Sequence, residues 1–281
     1  MAKCILVPFD GSEHAWSALQ QAIWISQKEE GSIIWGLHVV DLGKIESLYV
    51  PSAVAGYGAW SGVEYFGQLQ QDMEDAGRQL LADLEEKCQQ SGVQCRADLA
   101  TGIVDRVIVE KATSKGADLI VMGHRGTRAA WAGYLLGSVF ESVIRHAKQP
   151  VMACLEKPRP INRLLAAYDG SKTSRNALEQ AIKLAQDWGL SLAVVVVDEP
   201  PRVSKEKLEE ARQQIIRHGL TPEVIWRQGQ PAQEILRAAE SQDSDLIVLG
   251  ATGHSLLAEV FFGSTVDRVV HKSKLPVLIC H

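Results

Sequence analysis

The chain has no CxxC pair, no apolar run near the roughly 18 residues of a membrane span, and no surplus of positive charge. Its formal net charge is −5, so it is not expected to carry the basic face that nucleic acid binding requires. Five cysteines (Cys4, Cys88, Cys95, Cys154 and Cys280) make an odd set, and three of them sit in or beside apolar runs. A thiol so placed acts as a small core hydrophobe, and that usage suits a reducing cytoplasm. The segment from Met1 to Gly11 turns polar at Asp10 after a short apolar run, so no signal peptide is expected there. No Walker A loop, HExxH or GxSxG occurs, and the histidines show no metal-ligand spacing. The Ser-Gly-Gly-x-Asp-Ser loop that adenylating ligases and related pyrophosphatases need is missing too.

What the chain does have is a repeat. Ile5-Leu6-Val7-Pro8-Phe9-Asp10-Gly11-Ser12 returns as Leu164-Leu165-Ala166-Ala167-Tyr168-Asp169-Gly170-Ser171, a shift of 159 between the aspartates. Ala117-Asp118-Leu119-Ile120-Val121-Met122-Gly123 returns as Ser244-Asp245-Leu246-Ile247-Val248-Leu249-Gly250, a shift of 127. Pro150-Val151-Met152-Ala153-Cys154 returns as Pro276-Val277-Leu278-Ile279-Cys280, a shift of 126. The order is the same in both halves, which reads as a duplication. With 281 residues, 46% of them hydrophobic and 22% charged, each half can bury its own core. The expected domains are 1–156 and 161–281, joined through Glu156-Lys157-Pro158-Arg159-Pro160, whose prolines and charges suit an exposed connector.

Matching His38-Val39-Val40-Asp41 to Val195-Val196-Val197-Asp198 gives a shift of 157. The drop from there to 127 puts about 30 extra residues in the first copy, between Asp41 and a strand expected near Leu99, as an insertion at about 42–75. Its glycine and aromatic residues, Tyr49-Val50-Pro51 and Gly56-Tyr57-Gly58-Ala59-Trp60-Ser61-Gly62, read as a loop, either a lid, a partner surface or a plain insertion.

Short β-branched runs alternate with helical periods throughout. Ile5 to Val7, Ile33 to Val40, Leu119 to Met122 and Val151 to Leu155 look like buried parallel strands. Glu13 to Gln27, Arg106 to Thr113 and Ser138 to His146 look helical, with counterparts beginning near Lys172, Ala232 and Ser264. The fold class expected is α/β: two tandem doubly wound domains, each a mainly parallel sheet with helices on both faces. Ligands of such sheets bind beyond the strands' carboxyl ends, where strand order reverses.

Those ends carry the candidate chemistry. The strand Leu246 to Leu249 runs into Gly250-Ala251-Thr252-Gly253; nine residues later come Gly263-Ser264-Thr265 and a helical segment. Gly250 and Gly253 admit a ligand close to the backbone, and a helix opening at Gly263 offers free N–H groups and two hydroxyls to an anion such as phosphate. Asp169 is suited to accept from a base or ribose; capping the next helix is the competing role, one Ser171 fills equally well. His254 is either a phosphate contact or a polar loop residue.

The pattern Gly-x2-Gly-x9-Gly-Ser, preceded by an apolar strand and followed by a helix and a Pro-Val strand, resembles the universal stress protein family, as does the early Asp-Gly-Ser. The resemblance spans nearly the whole chain, twice. It implies a five-stranded parallel sheet per domain and, in the ATP-binding branch of the family, a phosphate site at the glycine motif for ATP, with or without Mg2+. Carried over, Asp169 and Val196 border the adenine, Gly250 the ribose, and Gly253, Gly263, Ser264 and Thr265 the phosphates. The first copy keeps Asp10, Val39, Gly123, Gly126, Gly137 and Ser138, but places ten residues, not nine, between Gly126 and Gly137. Arg125 and Arg128 are candidates to add charge there. The resemblance also implies pairing of the last strands, Val151 to Leu155 with Val277 to Cys280, which makes the chain an intramolecular pseudo-dimer able to dimerise further. An ATP-binding regulator of the stress response is the expected function. A nucleotide-independent interaction protein, or a slow ATPase that modifies itself near Ser264, are the alternatives.

Overall fold

The computed structural model of the chain describes residues 3–41, 43, 59–124, 137–155, 157–199, 204–251 and 263–281. The first half runs β1 (Cys4–Pro8), α1 (Glu13–Lys28), β2 (Ile33–Asp41), α2 (Ala59–Gln90), β3 (Gln94–Gly102), α3 (Val104–Ser114), β4 (Leu119–Gly123), α4 (Ser138–His146) and β5 (Val151–Cys154). The second runs β6 (Arg163–Ala167), α5 (Lys172–Trp188), β7 (Ser191–Asp198), α6 (Lys205–Arg217), β8 (Glu223–Gln228), α7 (Pro231–Ser241), β9 (Leu246–Gly250), α8 (Ser264–Lys272) and β10 (Val277–Cys280). The α/β class and the two-fold repeat of one doubly wound unit are as the residue pattern implies.

Burial explains which strands the sequence announced. All of β5 and β10 is buried, as are four of the five residues of β4 and of β9. Such strands carry apolar side chains on both faces. The outer strands β3 and β8 carry only half-buried and exposed residues, so no apolar run marks them.

Among the described residues all strands lie in one ten-stranded sheet of order β3-β2-β1-β4-β5-β10-β9-β6-β7-β8. Every pairing is parallel except the central one, β5 with β10, which is antiparallel and matches Val277 to Ala153, Leu278 to Met152 and Ile279 to Val151. This is the strand pairing that the resemblance implied. The helices α1, α2, α5 and α6 cover one face, and α3, α4, α7 and α8 cover the other. Both core layers run unbroken from one half into the other. Across the seam Trp24 and Trp188 meet edge to face at 5.5 Å, and Trp188 Nε1 donates to Glu29 Oε1 at 2.8 Å. The connector 157–160 is exposed, and the chain dives back into the core at Ile161.

The insertion differs from its sequence reading. Ala59, Trp60, Ser61 and Gly62 belong to α2, a helix of 32 residues whose counterpart α6 has 13. Much of the extra length is therefore helix, not loop. Glutamine-to-carboxylate pairs one turn apart support its exposed side, among them Gln68–Asp72 at 2.8 Å and Gln79–Asp83 at 2.9 Å. The candidate loop residues Tyr49, Val50, Pro51, Gly56, Tyr57 and Gly58 lie outside the described residues.

Met152 faces Leu278 across the seam and is 1% exposed. Met152→Ala is expected to lower unfolding stability by about 2–4 kcal/mol. An unchanged urea midpoint would show that the seam does not hold the halves.

Candidate functional site

Each Asp-Gly-Ser builds one compact device. Asp169 Oδ1 accepts from Ser171 N–H at 2.9 Å, Gly170 takes φ +80°, and Ser171 Oγ caps α5 by accepting from Ser174 N–H at 3.2 Å. In the first half Asp10 Oδ1 accepts from Ser12 N–H at 3.0 Å, Gly11 has φ +75°, and Ser12 Oγ accepts from Ala15 N–H at 3.1 Å. Only glycine adopts that left-handed turn without strain. The two weighed roles of Asp169 resolve in part: its carboxylate shapes the turn, while Ser171 caps the helix.

The strand order reverses between β6 and β9, which are neighbours. Asp169 leaves the end of β6 as Gly250 leaves the end of β9, so the fold brings these two together at the switch point. Gly250 also has a packing reason. A Cβ there would stand 2.6 Å from the Thr173 carbonyl carbon and 2.7 Å from Ser174 N. The start of α5 thus lies directly on this glycine.

Gly263 is the N-cap of α8 with φ −56° and ψ 127°; Asp267 N–H donates to its carbonyl at 3.0 Å, and no side chain caps the helix. Gly137 plays the same part at α4, again with no side-chain cap. Ser264 is exposed and Thr265 half-buried, with Ser138 exposed in the first half. Glycine at the cap leaves the first-turn N–H groups without the oxygen that Ser12 and Ser171 supply elsewhere. Gly253 and Gly126, with His254, Arg125 and Arg128, lie outside the described residues.

The strand register corrects one match between the copies. Cys4 pairs with Ile33 while Arg163 pairs with Ser191, and the bond Phe9 N–H to the Leu37 carbonyl recurs as Tyr168 N–H to the Val195 carbonyl. The second strands are therefore related by 158, not 157. Val39 corresponds to Val197, and Val196 corresponds to His38. A slip of one residue turns a side chain to the opposite face. Val196 is indeed fully buried on the α5 side, whereas Val39 and Val197 pack half-buried on the α3 and α7 side.

The model for the universal stress protein family matches residues 1–154 and 160–281. The chain belongs to that family. Slr1230 of Synechocystis, a universal stress protein, is 28% identical over 288 residues, covering 98% of this chain and 99% of its own length. The crystal structure of a universal stress protein from Archaeoglobus fulgidus is similar with a TM-score of 0.76 at 25% identity, over 99% of this chain and 95% of that one. Another family member, solved in complex with cAMP, matches 44% of this chain and 98% of its own at 27% identity and a TM-score of 0.38.

As a universal stress protein with two halves, the chain carries differences between its candidate sites that sequence reasoning missed. Where the second half has Ala251, the first has His124, buried, its Nδ1 2.8 Å from the Cys154 carbonyl. Its ring meets that of His14, the counterpart of Thr173, edge-on at 5.0 Å. The shifts of 127 and 159 pointed to both residues, had they been read across from the second copy.

Asp198 was legible only as part of a repeat. At the end of β7 its side chain is 1% exposed. It accepts from Ser204 N–H at 2.7 Å, Ser204 Oγ at 2.8 Å and Trp226 Nε1 at 3.1 Å, with Lys207 Nζ at 3.5 Å. Burial opposes its charge, but these donors outweigh burial and hold the carboxyl below its ordinary pKa. A groove of about 630 Å3 along α3, lined in part by Asp105, Glu110 and His146, shares no residue with either strand-end site. Among the described residues no group of three or more His, Cys, Asp or Glu is arranged to hold a metal.

Gly250→Ala is expected to destabilise the chain by about 1–3 kcal/mol, since backbone, not a flexible side chain, must yield. Thermal unfolding without ligand checks this, and an unaltered midpoint would refute the contact. A second expectation concerns acid. Because the native pKa of Asp198 is lowered, its contribution is present at neutral pH and lost as pH falls through that native value, below about 4. The stability gap between the wild type and Asp198→Asn should therefore narrow below about pH 4 in urea unfolding series. A constant gap would contradict it.

Proposed function

We propose that the chain is an ATP-binding regulator of the stress response and that its second half holds the nucleotide. The observation that carries this reading is the glycine-led, side-chain-uncapped start of α8, the helix that follows switch-point strand β9 in the chain. A helix start of this kind favours negative charge through its N–H groups and its dipole.

The residues present fit a triphosphate. Gly263 brings no Cβ to the turn, and Ser264 and Thr265 add hydroxyls to the N–H groups, so these three would hold phosphate oxygens. Asp169 and Gly250, at the ends of neighbouring strands, would border the ribose and base, with the main chain at Val196 and Val197, past the end of the β6–β7 ladder at Val195, facing the base. Gly253 is assigned to the phosphates on its spacing from Gly263 alone. Mg2+ would accompany the phosphates as their counter-ion. When bound, ATP supplies a charged group that ties α8 to the β6 and β9 loops, and occupancy, not turnover, is the proposed signal.

The first half carries Asp10, Val39, Gly123, Gly126, Gly137 and Ser138 in the matching order. Its extra loop residue and the His14–His124 pair support a lower affinity there. Among the described residues no helix is long and apolar enough to cross a membrane, and cytoplasmic residence is part of the proposal.

Native mass spectrometry with added ATP is expected to show one nucleotide per chain, and Gly263→Leu to abolish it. Wild-type protein that takes up no nucleotide, or a Gly263→Leu variant that binds as before, would overturn the assignment.

A further inference from the structure

Helices α2 and α6 hold matching places, each after the second strand of its half and on the same face of the sheet. Each sends one side chain over the left-handed glycine of its Asp-Gly-Ser turn. In the first half this is Leu80, whose Cδ2 lies 2.7 Å from where a Cβ on Gly11 would stand. In the second half it is Lys207, whose Cγ, Cδ and Cε lie 3.6, 3.9 and 4.0 Å from the same point on Gly170. An apolar plug in one half is thus an extended cation in the other.

Lys207 reaches past Gly170 to the end of β7, so its side chain bridges the ends of β6 and β7. There Nζ stands 3.5 Å from Asp198 Oδ1, too long for a strong charge-assisted bond. Asp198 does not depend on it, because Ser204 and Trp226 supply three shorter donors. Lys207 can therefore leave without stranding a buried charge, and its side chain is 30% exposed. The start of α8, where phosphate is proposed, packs on the opposite face of the sheet. The two donor sets thus address opposite ends of a ligand lying across the strand ends.

We infer that Lys207 is a specificity residue for the base-and-ribose end of the nucleotide, donating from Nζ to a ring nitrogen or a ribose oxygen. Leu80 denies the first half this donor. The inference rests on the second half being a nucleotide site.

Titration calorimetry of the full chain with ATP, and with adenosine by competition, tests it in wild type, Lys207→Met and Lys207→Arg. Lys207→Met is expected to weaken both ligands by about tenfold with stoichiometry unchanged, while Lys207→Arg stays within about threefold. Matching thermal unfolding without ligand shows that the variants fold. Unchanged affinity in Lys207→Met, with wild type binding normally, overturns the inference and leaves the nucleotide reading standing. A loss confined to ATP and absent for adenosine also overturns it, since the cation then serves phosphate. Wild type that binds neither ligand overturns the nucleotide reading and this inference with it.

Discussion

The antiparallel pairing of β5 with β10 is the contact on which the rest of the molecule depends. Without it each half would end in a short, fully buried-type apolar strand with a row of unpaired N–H and C=O groups, an edge that invites aggregation. Pairing the two satisfies both edges at once and makes both core layers continuous. It also sets the geometry of function. Since every other pairing is parallel, the carboxyl ends of the first half's strands face one way and those of the second half face the other. The two candidate sites therefore sit at opposite ends of the sheet, share no residue, and are free to diverge.

Their divergence is concentrated in side chains that border the strand ends, while the turns themselves are kept. The Asp-Gly-Ser geometry recurs almost atom for atom, and both last helices open at an uncapped glycine. Around that shared frame Thr173, Ala251 and Lys207 in one half stand against His14, His124 and Leu80 in the other. The first set is small or polar, and the second is bulky. A duplicated scaffold whose backbone is held by packing can change its ligand chemistry through such positions alone.

Much of the fold was legible because buried parallel strands must be apolar on both faces, and β1, β2, β4, β5, β6, β9 and β10 stand out for that reason. Helix starts were equally plain where Ser12, Ser171, Gly137 and Gly263 mark them. The outer strands were fainter, since Gln94 to Gly102 and Glu223 to Gln228 face solvent in part and lose the apolar run. A strand near Leu99 is expected without bounds, and Glu223 to Gln228 goes unmarked. The insertion misled because glycine and aromatic residues suggest a loop, whereas the glutamine-rich stretch after Gly67 sustains a long helix. The one-residue slip between Val196 and Val197 had a simple cause: four successive valines offer no internal landmark, and Asp41 and Asp198 invited a false anchor. Only hydrogen-bond register separates them. The close contact of Gly250 with α5, and the donors around Asp198, depend on tertiary approach that no spacing encodes.

The central claim is that the amide groups opening α8 receive an anion. Amide hydrogen exchange followed residue by residue, with and without ATP, tests it most directly. The account predicts that Ser264, Thr265 and Val266 become protected when ATP is added, more strongly than their counterparts at the start of α4. Nucleotide bound with those three amides exchanging as fast as before would contradict it.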